Sequence, residues 1–590
     1  MVALVTDLIV TCLVLVGLTA VCAAWGRVTF RLLGLSNIQG LLTRDLWLGF
    51  TIVLAAIEFL HLLTPINWRV SILFFVISIS VILMPLLSTQ ERMRLACSVR
   101  NIFYEFRQHY FKIILIALIV LLWCLRAMGI SNSFDSGLYH FGSIRWMNEY
   151  PIVPGLGNLH WRFALNQSYF GFLSLSNIFP FWNKGYAAGG LFLLYLTGFT
   201  LLEVGAAQSK AWRLLVGGSL FIFLGYLAGT TPNPSPDTAV GLLEIAIFLF
   251  LFRIIKNQKS DCIQNLNDSV VILSLSLALI TIKLSSVAFA ATSVLLVIWN
   301  QFPTLRQRYP IYVKLFFLML LIGGVHLLRG YLLSGAPLFP STFAASWQLD
   351  WSIPIELVKF EVNLIYSWGR KPGEMLAGQV LGQWGWLTGW FTAISLFDRL
   401  LFGLATIFAM SNLILVMTKK HLTNNNYLLL YLPIVTAFIF WFFTAPDIRF
   451  LGAVPVLYVG LSLWLFYELF PANFSTAFLS SRRSAYLYWI AILVICLMSF
   501  KLVGLRSISL QGWSAIPSAP VLAKKTLTEM PVNVSTVNGQ CWDASLPCAS
   551  IFNGNLRAEP FALPWPLSFI TKDRFFYSVK FLNLKPTSSK

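Results

Sequence analysis

A chain of 590 residues with 57% hydrophobic and only 11% charged side chains cannot cover a soluble surface, since ordinary soluble chains carry about 25% charged residues. Together with a mean hydropathy of +0.75, this excludes a soluble multidomain protein. The formal net charge of +19 does not signal nucleic-acid binding, because the cations lie in short loops between apolar runs rather than in a dense basic tract. The pattern predicts an all-α polytopic membrane protein.

A bilayer core about 30 Å thick takes roughly 20 apolar residues in a helix. That measure predicts about fourteen spans, near 8–24, 46–63, 70–87, 112–129, 187–203, 213–229, 238–252, 269–282, 284–299, 313–329, 400–417, 427–444, 450–468 and 485–503. The first lacks a basic leader and carries Asp7, so it reads as an uncleaved span. The pair at 269–299 is short, and Lys283 interrupts it. Segments 25–45, 88–112, 253–268, 300–314, 418–426 and 469–485 hold Lys and Arg with few acids. They fall on one side if the N-terminus is outside, and that side is then the cytoplasm.

Three parts follow. Residues 1–111 are N-terminal spans, 112–503 a transmembrane core with external loops 130–186 and 330–399, and 504–590 a small external C-terminal domain. Loops of that length are usually functional. No internal repeat is evident, and many of the 21 Trp and 19 Tyr stand at span ends, as interfacial belts require. Cys541 and Cys548 bracket CWDASLPC and can close a disulfide in an oxidising compartment.

The first external loop carries the densest chemistry. In SFDSGLYH, Ser133 or Asp135 can cap a helix over about 136–149, whose Leu138, Phe141 and Ile144 form an apolar stripe for the membrane surface. Asp135, His140, Arg145, Glu149, His160 and Arg162, with Asn158 in GLGNLH, then crowd one external face, a costly arrangement beside hydrocarbon. Asp237 stands at the mouth of a span in TTPNPSPDT, Lys283 in ITIKLSS, Arg329 at the end of its span, and Asp447 and Arg449 in the turn APDIRF. Each has a plainer reading: helix caps for Asp135 and Asp237, a snorkelling lysine, a mutual pair for Asp447 and Arg449. Read together, they supply a carboxylate base and cations for a phosphate, as glycosyl transfer from a lipid phosphate needs. No Walker loop, HExxH, GxSxG or C-x-x-C occurs, and His140 and His160 match no metal-ligand spacing, so no metal or cofactor is expected.

With SFDSGLYH, GLGNLH, the stretch from Arg329 to Pro340 and APDIRF in view, the chain resembles the GT-C superfamily of membrane glycosyltransferases over roughly residues 112–470. In that superfamily the catalytic Asp lies in a first large external loop that opens with a surface amphipathic helix. Here Asp135 takes the matching place, although its loop follows the fourth predicted span and Ser136 stands where a second acid is frequent. The resemblance implies a polyprenyl-phosphate-linked sugar donor, a glycan or lipid acceptor, and work on the extracytoplasmic face of a bacterial cytoplasmic membrane in cell-envelope assembly. Arg162, Lys283, Arg329 and Arg449 would then share the donor phosphate, and His140, Glu149 and Asn158 would shape the acceptor side. Membrane lipids are further expected partners; nucleic acid is not. Two rivals are a transporter or flippase of lipid-linked glycan or another anion, motivated by the helix pair broken at Lys283, and a surface-polysaccharide polymerase or ligase.

Overall fold

The computed structural model describes residues 2–35, 42–84, 110–111, 113–257, 262–342, 345, 349–374, 377–418, 425–469, 512–518, 522–527, 530–536, 538–550, 556–561 and 574–579. The predicted span at 485–503 and the basic segment Arg92, Arg94, Arg100, Arg107 and Lys112 lie outside the described residues. Helices α1 (Val2–Leu32), α2 (Leu42–Leu63) and α3 (Trp68–Leu83) are followed by α4 (Ile113–Ala127). In the first large loop a π turn (Ser136–His140) leads into α5 (Phe141–Glu149), then the short α6 (Leu156–Leu159) and α7 (Tyr169–Ser176). Next come α8 (Gly185–Ala206), α9 (Lys210–Trp212) continued through a π turn into α10 (Gly218–Ala228), α11 (Pro236–Lys256), α12 (Cys262–Ile282), α13 (Val287–Gln301) and α14 (Tyr309–Ser334). The second large loop holds α15 (Ile355–Arg370) and α16 (Trp386–Ala393); α17 (Leu396–Thr418), α18 (Tyr431–Phe443) and α19 (Val454–Leu469) complete the bundle.

Among the described residues, ten helices are long and apolar enough to cross a membrane, and α3, α4 and α19 are shorter apolar helices. The chain is a multi-pass helical membrane protein. Its centre is α11, whose apolar residues from Ala239 to Ile255 are buried; a helix that is apolar all round belongs inside a bundle. On the periphery, α14 exposes Phe316, Phe317, Leu320 and Leu321, and α17 exposes Leu404, Ile407 and Met410. Such stripes suit hydrocarbon rather than water. Helices α1 and α2 cross closely, with a Cβ at Gly49 falling 1.7 Å from the carbonyl oxygen of Cys22, the small-residue contact typical of membrane helices.

The structure extends one predicted span. α12 begins at Cys262 rather than near 269, taking Asn265, Asn267 and Asp268 into the bundle. They are tolerated because Asp268 is shared by two guanidiniums: Arg44 Nε donates to Oδ1 at 2.6 Å and Arg253 Nε to Oδ2 at 2.6 Å. Arg253 also reaches Glu203, which accepts from Thr43. Arg44 precedes residue 111 and Asp268 and Arg253 follow it, so the N-terminal spans share buried ion pairs with the core.

Polar groups collect at two ends of the bundle. The Asp268 network occupies one. The loops expected outside meet at the other: Arg370 donates to the carbonyls of Thr444 and Phe443, Trp390 to that of Pro446, and Trp513 N to Asp7.

The C-terminal segment is not helical. β1 (Leu522–Leu527) pairs antiparallel with β2 (Met530–Ser535), which pairs parallel with β3 (Cys548–Ala549). A second ladder joins β4 (Leu556–Phe561) to β5 (Arg574–Val579). Val532 and Val534 are buried with Asn533 between them less so, and these few short strands stand beside an otherwise helical fold. Cys541 and Cys548 form a disulfide.

Candidate functional site

Asp135 is not a helix cap. Its backbone is helical (φ −62°, ψ −29°) and its side chain makes no capping hydrogen bond. The carboxylate, 34% exposed, lies between two guanidiniums, with Oδ1 4.0 Å from Arg162 Nη1 and Oδ2 4.0 Å from Arg449 Nη1. The strand of chain before it is pinned by Asn233, whose Oδ1 accepts from Ser131 Oγ and from the backbone amides of Asn132 and Ser133. One amide side chain at the mouth of α11 thereby sets where the Asp135 helix begins.

Arg162 stands on a 3-10 turn (Trp161–Ala164) capped by His160, whose Nδ1 accepts from Arg162 N at 3.1 Å. Its Nε lies 3.1 Å from Oε1 of Glu361, and its guanidinium covers the Tyr139 ring at 5.8 Å. Burial opposes the charge on Arg162, but Glu361, Tyr139 and Asp135 outweigh it and raise its pKa. Glu361 is fully buried on α15. Burial lifts its carboxyl above the usual range despite the pull of Arg162. Burial likewise raises the Tyr139 phenol.

Opposite these groups, Ser235 caps α11 by accepting from Asp237 N, which frees the Asp237 carboxylate to pair with Lys283. Lys283 has extended backbone (φ −156°, ψ 118°) in the turn between α12 and α13, and its ammonium sits 4.1 Å above the Phe450 ring. The turn before α19 supplies Asp447 and Arg449. Asp447 Oδ1 accepts from Arg449 N, and Oδ2 takes two guanidinium bonds at 2.8 and 3.0 Å. Arg449 also stacks on Phe450 at 5.7 Å. Burial works against its charge, and Asp447, with help from Asp237 and Asp135, holds its pKa up.

Of the residues singled out from sequence, Asp135, His140, Arg162, Asp237, Lys283, Asp447 and Arg449 are thus gathered. His140 enters as a buried neutral ring rather than an exposed ligand. Ser136 Oγ lies 3.3 Å from its Nδ1, and burial drives its pKa down to about 3, with Asp237 opposing and Lys283 and Arg162 adding to the fall. His160 is also held at about 3 by burial; it stacks on Trp161 and serves the site only through its cap on the Arg162 turn.

Five expected residues lie elsewhere. Arg329 is buried against Glu58 and Asn166, at 3.4 and 3.0 Å, beside the Glu58–His326 contact. Its charge is taken up inside the bundle, where a carboxylate is the cheapest partner, so it is not presented to the cluster. Glu149 pairs with Arg145 at 2.6 Å and, through it, faces the C-terminal segment. Asn158 donates to the Trp351 carbonyl and ties the two large loops together. Cys541 and Cys548 close a loop that packs on the π turn.

Glu361 was missed by sequence reasoning although it carried a signal. It interrupts the stripe Val358, Val362 and Ile365 of an amphipathic helix, and an acid at a core position of such a helix is costly without a partner. Glu58, inside a predicted span, carried the same signal. Among the described residues, no three His, Cys, Asp or Glu side chains are grouped to hold a metal ion.

A comparison with the curated proteins gives no match. One family pattern, described as a domain of unknown function, DUF8201, matches residues 8–456. The match runs from α1 into the start of α19, takes in every residue of the cluster, and stops before the C-terminal strands. The chain belongs to the DUF8201 family.

Proposed function

We propose that the protein is an integral membrane glycosyltransferase that moves a sugar from a polyprenyl-phosphate donor to an acceptor hydroxyl on the extracytoplasmic face. Asp135 takes the proton from the acceptor hydroxyl. The acceptor oxygen attacks the anomeric carbon, and the lipid phosphate departs with the bonding electron pair. Arg449 and Lys283 receive that phosphate; Arg162, locked to buried Glu361, sets the position of Asp135.

The observation that carries this reading is the partly exposed Asp135 carboxylate lying 4.0 Å from each of two arginines, with a third cation on the neighbouring turn. A base flanked by cations suits a reaction that removes a proton and releases a phosphate. The charge balance constrains how it works. Three cations face four carboxylates (Asp135, Asp237, Glu361 and Asp447), and raising the Glu361 pKa brings the cluster nearer neutrality. An incoming phosphate therefore exchanges for a carboxylate rather than meeting an unpaired cation. Arg449, with its side chain 56% exposed, is the group placed to make that exchange. The outer location rests on the basic loops of the opposite end.

The rival transporter reading drew on a broken helix pair at Lys283. α12 runs from Cys262 to Ile282 and α13 follows after a tight turn, so Lys283 sits between two spans rather than inside a discontinuous one. The test is transfer by purified protein in lipid, with radiolabelled polyprenyl-phosphate sugars and total membrane lipid as acceptor. Labelled product from the wild type and none from Asp135→Asn is expected. Wild-type transfer by D135N overturns the base assignment; a folded wild type that consumes none of the donors overturns the reading.

A further inference from the structure

The segment that carries Asp135 is gripped from outside the family's matched region. Gln540 Nε2 donates to the carbonyl of Phe134, the residue before Asp135, at 3.0 Å. The backbone amides of Cys541 and Trp542 both donate to the carbonyl of Gly137, two residues after it, at 2.9 and 3.0 Å. A π turn shifts carbonyls away from ordinary helical pairing, and here one of them receives two donors from another part of the chain. About two turns further on, Arg145 Nη1 donates to the carbonyls of Asp543 and Ala544, each at 2.9 Å. The Trp542 indole lies flat against Gly137, where a Cβ would come 2.3 Å from the ring, and it packs on Phe141 at 6.1 Å.

Two features show that this grip is built rather than incidental. The gripping residues open a loop closed by the Cys541–Cys548 disulfide, and a short covalent ring keeps its amides aligned with little entropy left to lose. Trp542 itself has φ 44°, a conformation a bulky side chain holds only where its surroundings impose it.

We infer that the disulfide-closed loop 541–548 is a clamp on the π turn that keeps the Asp135 carboxylate between Arg162 and Arg449, making the C-terminal segment a positioning element of the site. Backbone amides supply most of the hold, so it depends on the ring's shape more than on particular side chains. Trp542 is the exception, fitted to the bare face of Gly137.

The test uses the full chain in lipid nanodiscs and hydrogen–deuterium exchange of peptides covering 133–146. The variants are Cys541→Ser/Cys548→Ser and, with the disulfide intact, Trp542→Ala. Loss of two to three hydrogen bonds worth about 1 kcal/mol each in the serine variant, or of the indole packed on Gly137 and Phe141 in Trp542→Ala, predicts exchange in 133–146 that is about tenfold faster or more, with peptides of α11 and α12 unchanged. If the serine variant fails to fold, Trp542→Ala decides. Unchanged exchange at 133–146 overturns the clamp, and general loosening that reaches α11 and α12 reduces it to a plain stabilising contact and overturns it equally. A second arm rests on the proposed function: kcat for transfer drops about tenfold, with KM for the donor within about twofold. Local loosening in the variants beside a wild type without transfer supports the clamp and removes the proposed reaction, so the two failures are distinguishable.

Discussion

Replacing Glu361 tests how the site is held together. Arg162 Nε lies 3.1 Å from its carboxylate, an attraction of about 5 kcal/mol at an effective dielectric constant of about 20. Much of that offsets desolvation, and removing one partner of a fully buried pair typically costs about 3–5 kcal/mol. Arg162 keeps 22% of its side chain exposed and has Asp135 as a second partner, which lowers the expected cost of Glu361→Gln to about 2–3 kcal/mol. The same fallback has a chemical consequence. Freed from Glu361, the guanidinium closes the 4.0 Å gap to Asp135 and turns a loosely flanked carboxylate into a paired one. If that pairing stabilises the charge by about 1.4–2.8 kcal/mol, transfer falls about 10- to 100-fold. Reversible SDS unfolding in mixed micelles, followed by tryptophan emission, gives the first quantity and labelled-sugar transfer the second. Both are read at alkaline pH, because a carboxyl whose pKa burial raises gains its charge as pH rises. An E361Q protein with wild-type stability and wild-type transfer at that pH refutes the argument, because it means that Glu361 carries no charge that Arg162 depends on.

Lys283→Met removes the Asp237 pair and the contact with Phe450; it should raise KM for the donor about tenfold, and a double-mutant cycle with Asp237→Asn should show coupling of about 1 kcal/mol or more. A cycle with no coupling would mean that Lys283 and Asp237 act separately. His140 and His160 are held at about 3 in the folded protein against 6.5 ordinarily. The unfolded chain therefore binds more protons below pH 6.5, so stability is full above that value and declines as pH falls towards 3, by about 1.4 kcal/mol per unit for each ring. Between pH 6.5 and 5 the two together cost about 3 kcal/mol, and a His140→Asn/His160→Asn protein should lose that slope; one that retains it shows that other groups titrate there.

Hydropathy made the bundle readable because each span is long enough to bury its own backbone hydrogen bonds whatever surrounds it. The basic loops grouped the external segments, and that grouping is what brings Asp135, Asp237, Lys283 and Arg449 within one list of candidates. The polar residues that hydropathy misplaces have partners that lie far away in the chain or out of sight in the linear sequence. Asp268 shortened a predicted span because the linear sequence does not show that Arg253 and Arg44, 15 and 224 residues earlier, fold against it and neutralise it. Arg329 looked like a phosphate ligand until Glu58, 271 residues away, claimed it. Glu361 was hidden for the same reason. The C-terminal strands escaped because two buried valines make a faint alternation beside runs of twenty apolar residues.

Asp135 and Arg449 are separated by 314 positions along the chain. At roughly 5–20 residues per second, a ribosome takes about 15–60 s to deliver the second after the first. Arg162 is made within seconds of Asp135, so the acid gains one partner early, whereas Arg449 follows only after twelve more helices, α7 to α18, have been made. The clamp at Trp542 is later still. The cluster around Asp135 is therefore completed long after the bundle has begun to insert, and a chain released before Arg449 can hold many inserted helices while leaving its acid with half of its escort.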